Sequence, residues 1–262
     1  MSTVINDPFE QHGIDHLSAS SINEYIANPS RWILRVSGFR DDFGSPAMWR
    51  GIALDQAITK MLFSDLSDLR TIQFALEAYR DRLDEAVNNG IPVNYGKAEA
   101  EQHALEAYMH LAIPHYRQLG TPTAAQQRIK LEIEELPIPI IGYTDLTYPN
   151  QIRDMKTVSR MPSEVPDFTL RQMAIYSAAT GIEDVQLDYI HVTKTKEQLI
   201  SKKAVHLDRH LMVVKRAALN MMRLLSISPD IADVAQVLMP DLSDWRWSDA
   251  EREAARKLWR IN

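Results

Sequence analysis

The chain has 262 residues, of which 45% are hydrophobic and 24% charged, and a net charge of −6; it has room for one sizeable core and the make-up of an ordinary folded protein. It contains no cysteine, which excludes disulfides, a cysteine nucleophile, a zinc–thiolate site and a cysteine-bound iron–sulfur cluster. The mild acidity does not advertise a polyanion partner, and any such role would rest on a local basic patch.

In chain order, residues 1–16 read as a loose polar arm, without the basic-then-apolar pattern of a secretory signal. No stretch approaches the roughly 18 apolar residues of a membrane span, so a cytoplasmic protein that contacts no membrane is expected. A helix is predicted from Leu17 to Tyr25, with Ser21 and Glu24 spaced as a capping box. Asn28-Pro29 breaks it and Ser30 to Leu34 restarts it. A second helix begins near Ala47 and carries Asp55, which reads as a solvated helix residue. Residues 64–120 read as helical with a break at Asn88 to Pro92. His103, His110 and His115 fall there without a metal-binding spacing.

From Gln127 the period changes to two: Ile129, Leu131 and Ile133 alternate with Lys130, Glu132 and Glu134, the mark of a half-buried strand. Residues 142–157 then read as a tight hairpin. Leu136, Ile138, Ile140 and Ile141 lead into it, Tyr148-Pro149-Asn150-Gln151 supplies the turn, and Ile152 to Lys156 returns. Strand alternation puts Asp154 and Lys156 on one face and Met155 on the other, with Asp145 able to approach across the ladder. Aspartate is depleted in strands and costly when buried unpaired. A divalent metal would account for it, since magnesium takes one or two carboxylates and keeps several waters.

After Pro162 and Pro166, Asp167 is the expected N-cap of a helix from Phe168 to Ala179 closed by Gly181, with Gln172 and Tyr176 on one face. Val185 to Val192 alternates as a fourth strand. A basic region follows, in which Lys194, Lys196, Lys202, Lys203, Lys215 and Arg216 are either a solvated face or phosphate contacts. Part of it is a helix from about Asp208 to Leu225 with Leu211, Val214, Ala218 and Met221 on its apolar side. His206 and His210 are four apart but lack the intervening glutamate of a zinc-protease helix. The last helix is capped by Ser248 with Glu251, and Trp245, Trp247 and Trp259 either dock this tail or offer a stacking surface.

Order and content resemble the PD-(D/E)XK nuclease superfamily, and within it the RecB-like branch. The nuclease motif matches Asp145 and Asp154-Met155-Lys156 with Gly142 preceding; the Gln-x-x-x-Tyr motif matches Gln172 and Tyr176. Ser18-Ala19-Ser20 with Asn28-Pro29 matches the opening helix, and Gly51 to Asp55 matches Gly-x-x-x-His, the whole spanning roughly residues 17–193. Two positions depart. Asn28 stands where iron–sulfur members place cysteine, so the resemblance is to cluster-free members such as phage and prophage recombination exonucleases. Asp55 stands where the branch places a metal-binding histidine; as a hard oxygen donor it suits magnesium or manganese.

The resemblance implies an α/β fold, a small mixed sheet flanked by helices with a helical insertion before the sheet and a helical C-terminal extension. One nuclease domain is expected, with its first helices at 17–63, the insertion at 64–125, the catalytic sheet and flanking helices at 126–225 and the extension at 226–262. It also implies a metal-dependent DNA exonuclease of recombination or end processing, the alternatives being a non-catalytic nucleic-acid-binding or assembly protein on the same fold or a site-specific endonuclease of restriction type. Asp145, Asp154, the Met155 carbonyl and Asp55 would be metal ligands, with Lys156, Gln172 and Tyr176 completing the catalytic set. Magnesium or manganese would be the cofactor and no iron–sulfur cluster is expected. DNA would be the partner, and a single-strand annealing protein is a further candidate.

Overall fold

Residues 7–40 and 44–261 are described by the computed structural model of the chain. Helix starts follow local side-chain chemistry. α1 (Pro8–Gln11) is a single turn capped by Asp7, and it buries Phe9 completely in the main core. The expected loose arm is therefore ordered from residue 7, because one fully buried aromatic side chain is enough to pin a short turn; the remainder of that arm lies outside the described residues. α2 (Ala19–Ala27) has its capping box at Ser18 and Ser21, each side chain bonding the other's backbone N–H. The box is thus not at Ser21 and Glu24 as predicted; Glu24 instead pairs with Arg31 and Arg35. Asn28 ends α2 and caps α3 (Pro29–Val36), its carboxamide accepting from the Arg31 N–H at 3.0 Å.

Three long helices follow: α4 (Pro46–Phe63), capped by Ser45, α5 (Asp68–Asn88) and α6 (Tyr95–Leu119). They share a core of small and aromatic side chains, among them Ala53, Ala57, Ala75, Tyr79, Tyr108 and Tyr116. The small residues let the helix axes approach, and the tyrosine hydroxyls all find acceptors: Ala98, Val158 and Asp188.

The sheet is β1 (Ala124–Leu131), β2 (Ile140–Tyr148), β3 (Gln151–Val158), β4 (Val185–Val192) and β5 (Glu197–Lys203), in that spatial order. Only β3 and β4 are parallel, which requires a crossover; α7 (Asp167–Thr180) supplies it. Leu136 and Ile138 lie before β2 and Ile133 lies beyond β1, although all three are buried. Asp167 is the first helical residue of α7, not its cap. Pro166 holds the cap position without a side-chain bond, and Gly181 closes the helix at φ 75°. β5 falls in the stretch read only as basic. It is a sheet edge with no buried residue, so no apolar alternation announces it.

α8 (Leu207–Leu225) lies on α7 with Val214, Ala218 and Met221 buried and Leu211 half-buried. α9 (Ile231–Gln236) and α10 (Asp249–Trp259) complete the chain. Trp247 and Trp259 dock them into the core, whereas Trp245 is 83% exposed and does not dock. This mixed sheet between helical layers is the α/β architecture expected. Its two sides bury separate cores: α2, α7 and α8 cover one, and α4, α5 and α6 cover the other. No described helix is long and apolar enough to cross a membrane.

Candidate active site

The site forms where the hairpin opens. β2 and β3 are paired at only three positions, Tyr148 with Gln151, Thr147 with Ile152 and Leu146 with Arg153. The next pair in that register would be Asp145 with Asp154, and there the ladder stops; the Met155 N–H goes to Asp145 Oδ2 at 2.7 Å. Leu17 takes up the β2 backbone beyond the parting, donating to the Pro139 carbonyl and accepting from the Ile141 N–H. On the β1 side, Gln126 would oppose Asp145, and it too leaves the ladder, in the left-handed region at φ 46°. Strain of this kind in a residue with a β-carbon costs of order 1–3 kcal/mol and is kept where surroundings impose it. The Gln126 side chain thereby donates to Asp55 Oδ2 at 2.6 Å.

Three carboxylates, Asp55 on α4, Asp145 on β2 and Asp154 on β3, thus lie within electrostatic range of one another and of Lys156. Asp154 is 1% exposed. Lys156 Nζ stands 2.7 Å from Asp154 Oδ2 and holds it in an ion pair, whereas Asp55 Oδ1 is buried without a hydrogen-bond donor. Burial, then the Asp154 charge, pushes the Asp55 carboxyl up to about 7, with Lys156 opposing. Burial, then Asp154 and Asp55, holds Asp145 well above the usual carboxylate range. Asp154 is also raised by burial, against the pull of Lys156. Burial alone would lower Lys156, but Asp154 and Asp145 prevail and keep it a firmly protonated ammonium.

One ammonium does not neutralise three carboxylates, and buried like charges are costly. A divalent cation fits this donor set: hard oxygens from three carboxylates, with Asp55 Oδ1 lacking any donor. Among the described residues no three His, Asp or Glu side chains are gathered tightly enough to ligate an ion by themselves. The fit is therefore to an ion held by one or two carboxylates and completed by water and substrate oxygen, as magnesium is.

α7 covers the site from one face of the sheet. Gln172 Nε2 donates to the Tyr176 hydroxyl at 2.7 Å. The Tyr176 ring lies against β2 at Gly142, where an added β-carbon would come within 2.9 Å of the ring and 3.2 Å of Ile129. Glycine is thus required there by close approach. Burial, then Asp154 and Asp145, raises the Tyr176 phenol well above its ordinary value.

Asp145, Gln172 and Tyr176 open onto a cleft of about 1040 Å³. Its cations are Arg128 of β1, Arg171 of α7 and Arg246 before α10, none of them singled out by sequence. They lie far apart in the chain, with no spacing to connect them. The six cations proposed from sequence do not line this cleft. Lys194, Lys196, Lys215 and Arg216 are exposed. Lys202 donates to the Pro162 and Ser163 carbonyls at 2.6 and 2.8 Å, and Lys203 lies 3.2 Å from Asp184. His103 and His110 are exposed beside Glu99 and Glu106.

A second buried charge cluster occupies the opposite face of the same strands. Arg153 donates to both oxygens of Asp188, at 2.8 and 2.6 Å, and Ser201 and Tyr116 donate to the same carboxylate at 2.6 and 2.9 Å. Burial opposes ionisation of Asp188, but its hydrogen bonds from His115, Arg153 and Ser201 prevail and hold it well below the usual carboxylate range.

No curated protein matches the chain. A solved structure described as the crystal structure of SSO0001 is similar, with a TM-score of 0.32 and 16% identity over 45% of this chain, which spans 59% of that chain's length. A family model described as the PD-(D/E)XK nuclease superfamily, whose members generally use magnesium or manganese, matches residues 16–257. A match over that span decides the family: the chain belongs to the PD-(D/E)XK nuclease superfamily.

Proposed function

We propose that the chain is a divalent-metal-dependent deoxyribonuclease, an exonuclease of recombination or end processing. The observation that carries the reading is the set of three carboxylates around one lysine, Asp154 buried and Asp55 and Asp145 half-buried, with Asp55 Oδ1 lacking a donor, at the parting of β2 and β3. Asp145, Asp154, the Met155 carbonyl and Asp55 would hold one or two magnesium or manganese ions. Such an ion polarises the scissile phosphate and lowers the pKa of a bound water. Lys156, a compact ammonium held at Asp154, stabilises negative charge developing on the phosphate or orients the attacking water. Tyr176 and Gln172, bonded to each other, line the strand path or support the site through that bond. The exposed cations Lys194, Lys196, Lys215 and Arg216, with Lys202 and Lys203, are proposed as contacts for duplex beyond the cleft. Phosphate contacts carry no sequence information, so no site specificity is expected.

The test is digestion of linear and closed-circular duplex DNA, with magnesium and with chelator. Loss of linear DNA alone, only with metal, is the expected result; nicking of the circle would make the enzyme an endonuclease. Asp154→Ala should reduce the rate by several orders of magnitude, and digestion at an unaltered rate by this variant would show that the site is elsewhere.

A further inference from the structure

We propose that the cleft beside Asp145 binds a single strand of nucleic acid, with Arg128 and Arg171 on its phosphates and Tyr143 and Phe168 under its bases. The proposal rests on the nuclease reading above and names the form of substrate that this site takes.

Two independent features point there. The first is cationic. No described carboxylate lies within ion-pair distance of Arg128 or Arg171, although both line the cleft. Arg171 is partly buried, and burial pulls its guanidinium below its ordinary value, with Asp167 opposing only weakly. It is fixed in place: its Nε donates to Asn23 Oδ1 at 2.6 Å, and Asn23 in turn donates to the Phe168 carbonyl at 2.9 Å. Its two terminal nitrogens are left to take a phosphate. Arg246 is a weaker contributor, since Asp244 already holds it at 2.5 Å.

The second feature is aromatic. Tyr143 and Phe168 line the same cleft and are 51% and 57% exposed. Trp245, 83% exposed, stands beside Arg246 with the guanidinium 5.5 Å from its ring. Large aromatics are normally buried or docked, as Trp247 and Trp259 are. Exposed rings alternating with arginines around a groove are the means by which proteins hold unpaired bases, because every base has a face to stack and every nucleotide a phosphate. A duplex keeps its bases stacked on one another, so the rings would gain nothing from it.

The test is fluorescence anisotropy of a labelled twenty-residue oligothymidylate and of a blunt duplex of equal length, in chelator across a salt series. The full chain, Arg128→Ala, Arg171→Ala, Arg171→Lys, Phe168→Ala and Tyr143→Ala would be measured, with unfolding curves to confirm that each variant is folded. The single strand should bind more tightly than the duplex. Each arginine-to-alanine change should flatten the single-strand salt slope by about 0.7, and Arg171→Lys should restore the slope. Each aromatic change should weaken the single strand by about 5- to 140-fold. Preferential duplex binding, or unaltered single-strand slopes in both arginine variants, overturns the proposal. The nuclease reading fails separately. Slopes that shift as expected in a protein that never hydrolyses DNA with magnesium or manganese would leave the cleft assignment standing and remove the enzyme.

Discussion

β3 and β4 carry a buried charge cluster on each face, and the two are built on opposite principles. On the face covered by α6, Asp188 receives two bonds from Arg153 and one each from Ser201 and Tyr116; its charge is balanced and every oxygen is satisfied. On the face covered by α7, Asp154 and Asp145, joined by Asp55 from α4, share one lysine, and Asp55 Oδ1 lacks a donor. The same strands, a residue apart, thus hold a finished ion pair and an unfinished one. Folding alone would not maintain the second arrangement, because unpaired buried charge costs stability. Buried charge as such does not mark the functional face; buried charge that the protein leaves unbalanced does.

The largest expected effect breaks the finished side. Asp188→Ala leaves the Arg153 guanidinium buried with no counter-charge and should cost about 3–5 kcal/mol, read as a fall in urea midpoint at unchanged slope. Asp154→Ala in chelator removes one of several mutually repelling carboxylates and should leave stability level or raise it slightly. Equal losses in the two variants would abolish the distinction between the faces. The double change Arg153→Met with Asp188→Leu, which removes both charges, should be far milder than Asp188→Ala alone.

Metal supplies the next effect, on the other face only. An ion that binds the folded chain at a hundred times its Kd stabilises by about 2.7 kcal/mol. Magnesium should therefore raise the unfolding midpoint of the protein and of a milder Ser201→Ala variant alike, and leave that of Asp154→Ala where it was. A magnesium response that survives in Asp154→Ala would place the ion elsewhere.

How far these faces were legible in sequence follows from what kind of signal each leaves. Asp145, Asp154 and Lys156 sit on a hairpin whose turn residues announce it, and Gln172 and Tyr176 are a helical turn apart, so local spacing sufficed. Asp55 read as a solvated helix residue because nothing local distinguishes it, and became a candidate metal ligand only through the resemblance; the folded chain sets Gln126, Asp145 and Asp154 around it. Arg153 and Asp188 were invisible for the same reason, one charged residue on each of two strands that meet only through the α7 crossover. β5 hid because an edge strand with no buried residue and five polar positions out of seven has the composition of a loop. The cleft arginines come from β1, α7 and the segment before α10, a grouping that only tertiary structure makes.

The two faces should also titrate with opposite sign. Asp188 has its folded pKa depressed, so its contribution is present above the unfolded value of about 3.9 and is lost as pH falls through the folded one. Asp55 has its folded pKa raised to about 7, so its contribution is complete below the unfolded value and is lost as pH rises through 7. In chelator, stability should therefore decline from about pH 4 to pH 7, by at most about 1.4 kcal/mol per pH unit for one titrating group. Magnesium competes with those protons and should flatten or reverse the decline. A rising stability across that window in chelator would mean that the three carboxylates are already compensated.

The smallest effect concerns the backbone that holds the unbalanced side open. Gln126 combines two roles: it occupies a left-handed conformation at φ 46°, and it gives Asp55 its one hydrogen bond. Glycine adopts that conformation without steric penalty but loses more chain entropy on folding and loses the bond to Asp55, so Gln126→Gly should leave chelator stability within about 1 kcal/mol of the unaltered chain. Gln126→Ala keeps the strain and loses the bond, and should lower stability by about 1 kcal/mol. Both variants deprive Asp55 of its donor, so both should need more magnesium to reach half of the stabilisation seen with the unaltered chain. Chemical denaturation in chelator and a magnesium titration of the unfolding midpoint give the two quantities separately. Equal destabilisation by glycine and alanine would show that the left-handed turn costs nothing. An unchanged magnesium requirement in both would show that Gln126 does not position Asp55 for an ion.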